Sequence, residues 1–178
     1  MRLVQSDIVG VKVLIPNIFE DERGFFYESY SKKSLLAVGI HDDFVQDNHS
    51  KSSVGVIRGM HFNKLGTQAK LVRCVSGRIM DVIFDIRPGS STYKKWEIFE
   101  LSEQNKQILY VPAGCAHGFS VPDKTSEVLY KSSTLYDPQN EIGFNPLDPE
   151  LAIQWGVAPA AMIINEKDRC APEFARLK

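Results

Sequence analysis

Between residues 44 and 136 apolar and polar positions alternate in short runs, each broken by Gly, Pro, Asn or Asp. In GRIMDVIFDIRPGSSTY, Met80, Val82, Phe84 and Ile86 recur at period two, which places them on one face of a strand. RPGSS then supplies a turn. KKWEIFEL, QILYVP and SEVLYKSSTLY repeat the pattern. Many short strands spaced about ten residues apart predict an antiparallel sandwich or barrel. A small barrel of this kind is either filled by its own side chains or holds one ligand. Helix signals are few. SKKSLLAVG (31–39) opens on a Ser cap and stops at Gly39. DPELAIQW (148–155) has the Asp-Pro-Glu start of a second short helix. The polar C-terminal stretch NEKDRCAPEFARLK is expected to cover one end of the sheet structure.

Length and charge narrow the class. At 178 residues the chain is expected to be one domain, residues 1–178. A domain of this size buries roughly 70% of its unfolded surface and needs no metal or disulfide to fold. Lys and Arg number 21 against 22 Asp and Glu, so the basic excess of a nucleic-acid or anionic-membrane binder is missing. Cys74, Cys115 and Cys170 are odd in number, widely spaced and without a CxxC, which argues against a disulfide framework or zinc knuckle. Reduced thiols in a cytoplasm fit best. The N-terminal MRLVQSDIVGVKVLIP alternates and has no long apolar core before a small-residue cleavage site. No run of about 20 apolar residues predicts a membrane span.

The candidate chemistry gathers in GVIRGMHFNKLGTQAKLVRCV (55–75), which holds His61, Arg58, Lys64, Lys70 and Arg73 and no acid. Lys70 shares the parity of Val72 and Cys74, whereas Arg73 has the other, so in a regular strand one of the two points inward. An inward cation without a partner is costly and implies an anion or a hydrogen-bonding ligand. His61 in RGMH and His117 in PAGCAHGF each sit beside glycine, which permits close backbone approach. Either imidazole is a structural group or a base, since the reference pKa near 6.5 suits proton abstraction at neutral pH. A base of this kind works better with an orienting carboxylate, and composition alone does not select one. Val128, Tyr130, Ser132, Thr134 and Tyr136 share one face of a regular strand. Its tyrosines either pack, or donate a proton and stack on a base. FEDERGFFYES is a strand edge or an arm reaching a partner or a nucleotide. His41 is expected to be exposed. No two histidines lie within seven residues of one another, so a metal site is hard to assemble.

Six stretches carry a resemblance: DERGFFYES, FVQDNHSKSSVGVIRGMHF, QAKLVRCVSGRIMDVIFDIR, ELSEQNKQILYVPAGCAHGF, LYKSSTLYDPQNEIGF and INEKDRCAPEF, in this order over about residues 5–175. Together they resemble the dTDP-4-dehydrorhamnose 3,5-epimerase family of cupin-fold sugar-nucleotide epimerases. The resemblance implies an all-β, cupin-type jelly-roll barrel with short peripheral helices. It also implies a cofactor-independent isomerase that inverts C3 and C5 of dTDP-4-keto-6-deoxy-D-glucose in dTDP-L-rhamnose biosynthesis. His61 would be the base, Asp168 its orienting carboxylate, Tyr130 the acid on the opposite face, and Lys70 the stabiliser of the C4 oxyanion. His117 would contact the sugar or phosphate, and Arg58 and Arg169 the diphosphate. Tyr136 would stack on the nucleotide base with Glu141 nearby, and Gln46 and Asn48 would bind polar groups; His49 beside them would be structural. Phe19, Arg23 and Phe26 match an arm, within about residues 1–30, that enters the site of a second copy, so a homodimer is implied. The family's common RGLHxQ reads RGMHFN here, PPGFAHGF reads PAGCAHGF, and ERGIRWDDP reads EIGFNPLDP, which puts Asn63, Cys115 and Ile142 at the departures. A single-centre epimerase of another nucleotide-linked 4-keto sugar would use nearly the same acid and base. A cupin that only binds a sugar nucleotide would have no need of all four catalytic candidates.

Overall fold

A computed structural model describes residues 1–177. The strands are β1 (Arg2–Gln5), β2 (Lys12–Ile15), β3 (Phe19–Asp21), β4 (Gly24–Phe26), β5 (Gln46–Ser52), β6 (Ile57–Asn63) and β7 (Lys70–Ser76). They continue with β8 (Arg78–Asp85), β9 (Trp96–Ser102), β10 (Ile108–Val111), β11 (Cys115–Ser120), β12 (Ser126–Ser132) and β13 (Glu141–Gly143). Two short helices, α1 (Lys32–Ala37) and α2 (Glu166–Arg169), lie outside them. The strands form a six-stranded sheet in the order β1-β2-β10-β7-β12-β5 and a five-stranded sheet in the order β13-β6-β11-β8-β9. All the strand pairs in both are antiparallel, and the result is the jelly-roll barrel expected from the pattern. The hairpin β3–β4 stands apart from both sheets.

Both faces of each sheet are covered, and the residue parity shows how. Between the sheets lie Val13, Val72, Cys74, Ile79, Ile83, Leu109, Phe119 and Val128. Behind the five-stranded sheet a second cluster joins Val82, Phe84, Phe144, Ile153 and Trp155. Behind the six-stranded sheet Leu14, Leu71, Ile108 and Tyr110 pack under Leu35 of α1. The Met80–Ile86 face of β8 therefore points away from the barrel, and the opposite face, with Asp81 and Asp85, points into it. Asp85 is satisfied there: Arg87 Nε at 2.8 Å, Thr92 Oγ1 at 2.6 Å and the Arg87 N–H all donate to it. Burial pushes its carboxyl up, but these donors outweigh it and hold the group well below the usual range.

Helix α1 forms where its cap predicts: Ser31 Oγ accepts from Ser34 N, and Gly39 follows with a φ of +74°. The helix expected over 148–155 does not form. Leu151 and Ala152 N–H close one turn on the Asp148 carbonyl, and Ala152 then adopts a φ of +47°. Asp148 is buried and receives Glu150 N and Phe174 N, which ties this turn to the C-terminal segment. Extended chain beyond it delivers Ile153 and Trp155 to the outer cluster, a burial that a helix continuing along the surface would forfeit. Strand β12 likewise stops at Ser132, so Thr134 and Tyr136 leave the strand face on which their spacing put them. The C-terminal segment packs Phe174 edge-on against Phe84 and Phe144 and lies along the outer cluster more than over an end. All three cysteines are free, and burial pushes the thiols of Cys74 and Cys115 up to about 11 and about 12. Among the described residues no helix is long and apolar enough to cross a membrane.

Candidate active site

The inner faces that meet as apolar core in one half of the barrel turn polar in the other. Strands β6 and β11 pair there with His61 directly opposite His117. Two glycines make that pairing close. A Cβ on Gly59, whose φ is +124°, would lie 2.6 Å from Gly118 Cα, and one on Gly118 would lie 2.8 Å from the Arg58 carbonyl oxygen. The register shifts between His117 and Phe119, as a bulge requires.

Asp168 reaches His61 from outside the sheet. The 55–57 and 163 backbones exchange hydrogen bonds, which fixes the chain entering α2. Asn165 then caps the helix by accepting from Asp168 N at 2.7 Å. The Asp168 carboxylate, 2% exposed, accepts from His61 Nε2 at 2.7 Å and from Gly59 N at 3.2 Å. Burial pushes the carboxyl up, but the His61 hydrogen bond and charge and the Gly59 N–H outweigh it, and the group lies below the usual carboxylate range. With Nε2 engaged, Nδ1 has no hydrogen-bond partner among the described residues, in a ring whose side chain is 27% exposed.

Lys70 opens β7 on the inward parity, with Val72 and Cys74, while Arg73 points out and donates to the Tyr27 hydroxyl. Burial pushes the Lys70 amine down, and the charges of Glu141 and Asp81 act against it. Tyr130 sits in β12 between Asn48 of β5 and Val72 of β7. Burial raises its phenol, Glu141 adds to this, and Arg58 opposes it. Arg58 donates Nε to Ser52 Oγ at 3.0 Å. His117 is buried and pairs with Asp81, its Nε2 2.9 Å from Asp81 Oδ2; burial pushes the Asp81 carboxyl up against the pull of His117 and Lys70.

These groups line one cavity of about 220 Å³: Ser50, Arg58, His61, Lys70, His117, Tyr130, Glu141, Asn165 and Asp168, with Gly118 and Phe119. A second compartment of about 280 Å³ shares Lys70, Tyr130 and Glu141 as its wall and adds Gln46, Asn48, Gln68, Ser132 and Tyr136. The first is sized for a sugar ring. It places an imidazole with a carboxylate behind it, a phenol and a buried ammonium around one small volume. That set can remove a proton from carbon, hold charge on oxygen and return a proton.

Comparison with known proteins settles the kinship. A family model described as dTDP-4-dehydrorhamnose 3,5-epimerase matches residues 5–176. The dTDP-4-dehydrorhamnose 3,5-epimerase of Pseudomonas aeruginosa is 42% identical over 176 residues, 98% of this chain and 97% of that one. The crystal structure of dTDP-6-deoxy-D-glucose-3,5-epimerase from Legionella pneumophila, in complex with dTDP-4-keto-L-rhamnose, superposes with a TM-score of 0.95 at 39% identity, covering 99% of this chain and 94% of that one. A 3'-monoepimerase from Streptomyces bikiniensis, in complex with dTDP-quinovose, gives 0.86 at 33% identity, covering 96% and 86%. The chain belongs to the dTDP-4-dehydrorhamnose 3,5-epimerase family. Its barrel is accordingly of the cupin type, and its family is one of isomerases.

Within this epimerase family fold, the residues singled out in the sequence divide into three groups. His61, Asp168, Tyr130, Lys70, Arg58, His117 and Glu141 meet in the inner cavity. Gln46, Asn48 and Tyr136 line the outer compartment, where Gln46 Oε1 accepts from Tyr136 N at 2.7 Å and its Nε2 donates to Asn48 Oδ1 at 2.8 Å. Tyr136 is 55% exposed on the loop after β12. Arg169 is exposed at the end of α2 and does not line either compartment; Phe19, Arg23 and Phe26 lie on the exposed hairpin β3–β4, where Arg23 pairs with Asp21. His41 is exposed, and His49 is exposed and paired with Glu127 at 3.0 Å. Of the three departures from the family pattern, Asn63 Oδ1 accepts from Leu65 N and Thr67 Oγ1, Cys115 is buried, and Ile142 pairs with Phe62.

Among the lining and supporting residues that escaped the sequence reading, Ser50, Asn165 and Asp81 matter most. Ser50 shares parity with Gln46 and Asn48 on β5, a signal that was available. Asn165 stands at the cap position before EKDR. Asp81 is an acid at period two from Ile79 and Ile83, which marks an inward carboxylate once β8 is known to be buried on both faces.

Proposed function

We propose that the protein inverts C3 and C5 of dTDP-4-keto-6-deoxy-D-glucose, the 3,5-epimerase step that makes dTDP-4-keto-L-rhamnose. The observation that carries this reading is the His61–Asp168 pair at 2.7 Å, on the cavity that Tyr130 and Lys70 also line. His61 takes the proton from carbon beside the C4 ketone, and Asp168 holds the ring and stabilises its protonated form. Electrons move onto the C4 oxygen, where the Lys70 ammonium offsets the developing charge. Tyr130, from a strand of the other sheet, returns a proton to the opposite face, and that inverts the centre. A proton leaves and a proton returns, so the reaction balances without an oxidant or reductant.

The binding roles follow from the two compartments. The sugar occupies the inner one. Arg58 takes the diphosphate from the inner cavity, joined by Arg169 from the exposed end of α2 outside both compartments; Tyr136 stacks on the base, and Gln46, Asn48, His117 and Glu141 supply polar contacts. The hairpin residues Phe19, Arg23 and Phe26 complete the site of a second copy, and the protein works as a homodimer built from one domain per chain. Two buried free thiols among three suit a reducing cytoplasm. The same geometry serves inversion at one centre, which is what one solved relative is named for. Proton NMR of dTDP-4-keto-6-deoxyglucose incubated with the protein in D2O tests the choice. Deuterium at both C3 and C5 is the expected result; deuterium at one assigns a single-centre epimerase, and none at either centre overturns the reading.

A further inference from the structure

The barrel interior carries two histidine–carboxylate pairs. His61 uses Asp168; its cross-strand neighbour His117 uses Asp81, with Nε2 2.9 Å from Asp81 Oδ2. Asp81 is fully buried and does not itself line the cavity, and its Oδ1 has no hydrogen-bond partner among the described residues. The contrast with Asp85 on the same face of β8 is informative, because Asp85 is saturated by donors and serves the turn that follows it. A buried carboxylate with a single partner is costly, so that partner matters. His117 Nδ1 makes no protein hydrogen bond among the described residues, and it is not among the buried unpaired atoms. The ring therefore turns Nε2 to the floor and leaves Nδ1 accessible on the cavity side.

We propose that Asp81 is a positioning residue that holds His117 in the Nε2–H tautomer, so that Nδ1 accepts a hydroxyl hydrogen from the sugar ring and does not bind the diphosphate. A ring nitrogen without hydrogen offers a phosphate oxygen nothing, whereas it suits a hydroxyl donor. This rests on the sugar-nucleotide reading above and decides which part of that ligand His117 reads. The two pairs then divide the work: His61 acts on carbon, and His117 fixes the ring that presents it.

The test starts with the intact protein. Nitrogen-15 NMR of histidine-labelled wild type should show His117 neutral and protonated at Nε2. A ring protonated at Nδ1, or at both nitrogens, would overturn the proposal, since no acceptor would then face the sugar. Asp81→Asn presents an amide donor to Nε2 and should switch the ring to the Nδ1–H form. Its kcat/KM should fall about 10- to 100-fold, the usual cost of an unpaired polar contact in a site. Its affinity for dTDP, which has the diphosphate and no sugar, should stay within about twofold; an equal loss for dTDP would reassign His117 to the phosphates. Should Asp81→Asn fail to fold, His117→Gln carries the same comparison of sugar nucleotide against dTDP. Both the tautomer and dTDP binding are read without turnover, so they stand apart from the outcome of the D2O exchange experiment.

Discussion

Acid and base are separable at the level of single side chains. Under the proposed roles, Tyr130→Phe keeps the ring and removes the returning proton, while His61, Asp168 and Lys70 stay in place. Formation of the inverted sugar should fall by about 10²- to 10⁴-fold, the usual contribution of a positioned acid. Solvent deuterium should still exchange into the starting sugar through His61. Loss of exchange together with inversion would place Tyr130 on the same step as the base. Asp168 makes a second prediction, this one about stability. Its carboxyl is held below the usual range, so it binds its proton less readily when folded than when unfolded. Its contribution is therefore complete above the unfolded value of about 3.9 and is lost as pH falls through the lower folded value. The difference in urea midpoint between wild type and Asp168→Asn should hold steady down to about pH 5 and shrink toward pH 3; a constant difference over that range would show that the carboxylate charge is not what Asn removes. Part of this was legible in the residues. Lys70 and Arg73 differ by parity, and parity assigned one of them inward. The partner of His61 was not legible from composition, because Asp168 lies more than a hundred positions away on an element of four residues; only the motif resemblance named it.

Elements were legible where local chemistry decides and illegible where burial does. Helix α1 has a serine cap and a glycine stop, and both operate as the residues imply. The 148–155 stretch has an equally good start, yet Ile153 and Trp155 are worth more against the back of the five-stranded sheet than in a helix. Strand β12 reads as continuous to Tyr136, but its ladder pairing ends at Ser132, with one more backbone hydrogen bond from Ser133 N to the Ala69 carbonyl. The β6–β11 pair shows a constraint that glycine imposes on the site. Gly59 and Gly24 have almost the same φ, +124° and +123°, but only Gly59 is crowded, by Gly118 Cα at 2.6 Å and the His117 oxygen at 3.0 Å. Alanine at Gly24 should cost only the backbone strain, about 1–2 kcal/mol. Alanine at Gly59 adds a backbone clash and should cost about 2–4 kcal/mol, with loss of turnover as His61 and His117 move apart. Thermal unfolding and kcat/KM on the two variants read both effects, and equal costs would show that strand proximity plays no part.

At the scale of the whole molecule, the hairpin β3–β4 is the feature that one chain does not explain. Phe19, Phe25 and Phe26 are 64%, 58% and 71% exposed on a two-stranded ribbon that joins neither sheet. A ribbon of this kind is marginal by itself in water, and three solvent-facing phenylalanines on it mark a surface that is covered in use. The proposed homodimer covers it by reaching the second copy's cavity, so each site combines a base from one chain with an arm from the other. Mixing experiments follow directly. A chain with Arg23→Ala and Phe26→Ala keeps His61 but offers a defective arm, and a chain with His61→Ala keeps the arm but has no base. Each homodimer should be nearly inactive. After subunit exchange at equal amounts, half of the dimers are mixed, and in each of these one site has both a base and an intact arm. Activity should then return to roughly a quarter of wild type, the share expected for a two-fold dimer with random pairing. Recovery under dilution should track the dimer population measured by sedimentation. Two inactive variants that stay inactive as a verified mixed dimer would mean that the arm serves its own chain, or that it serves the interface alone.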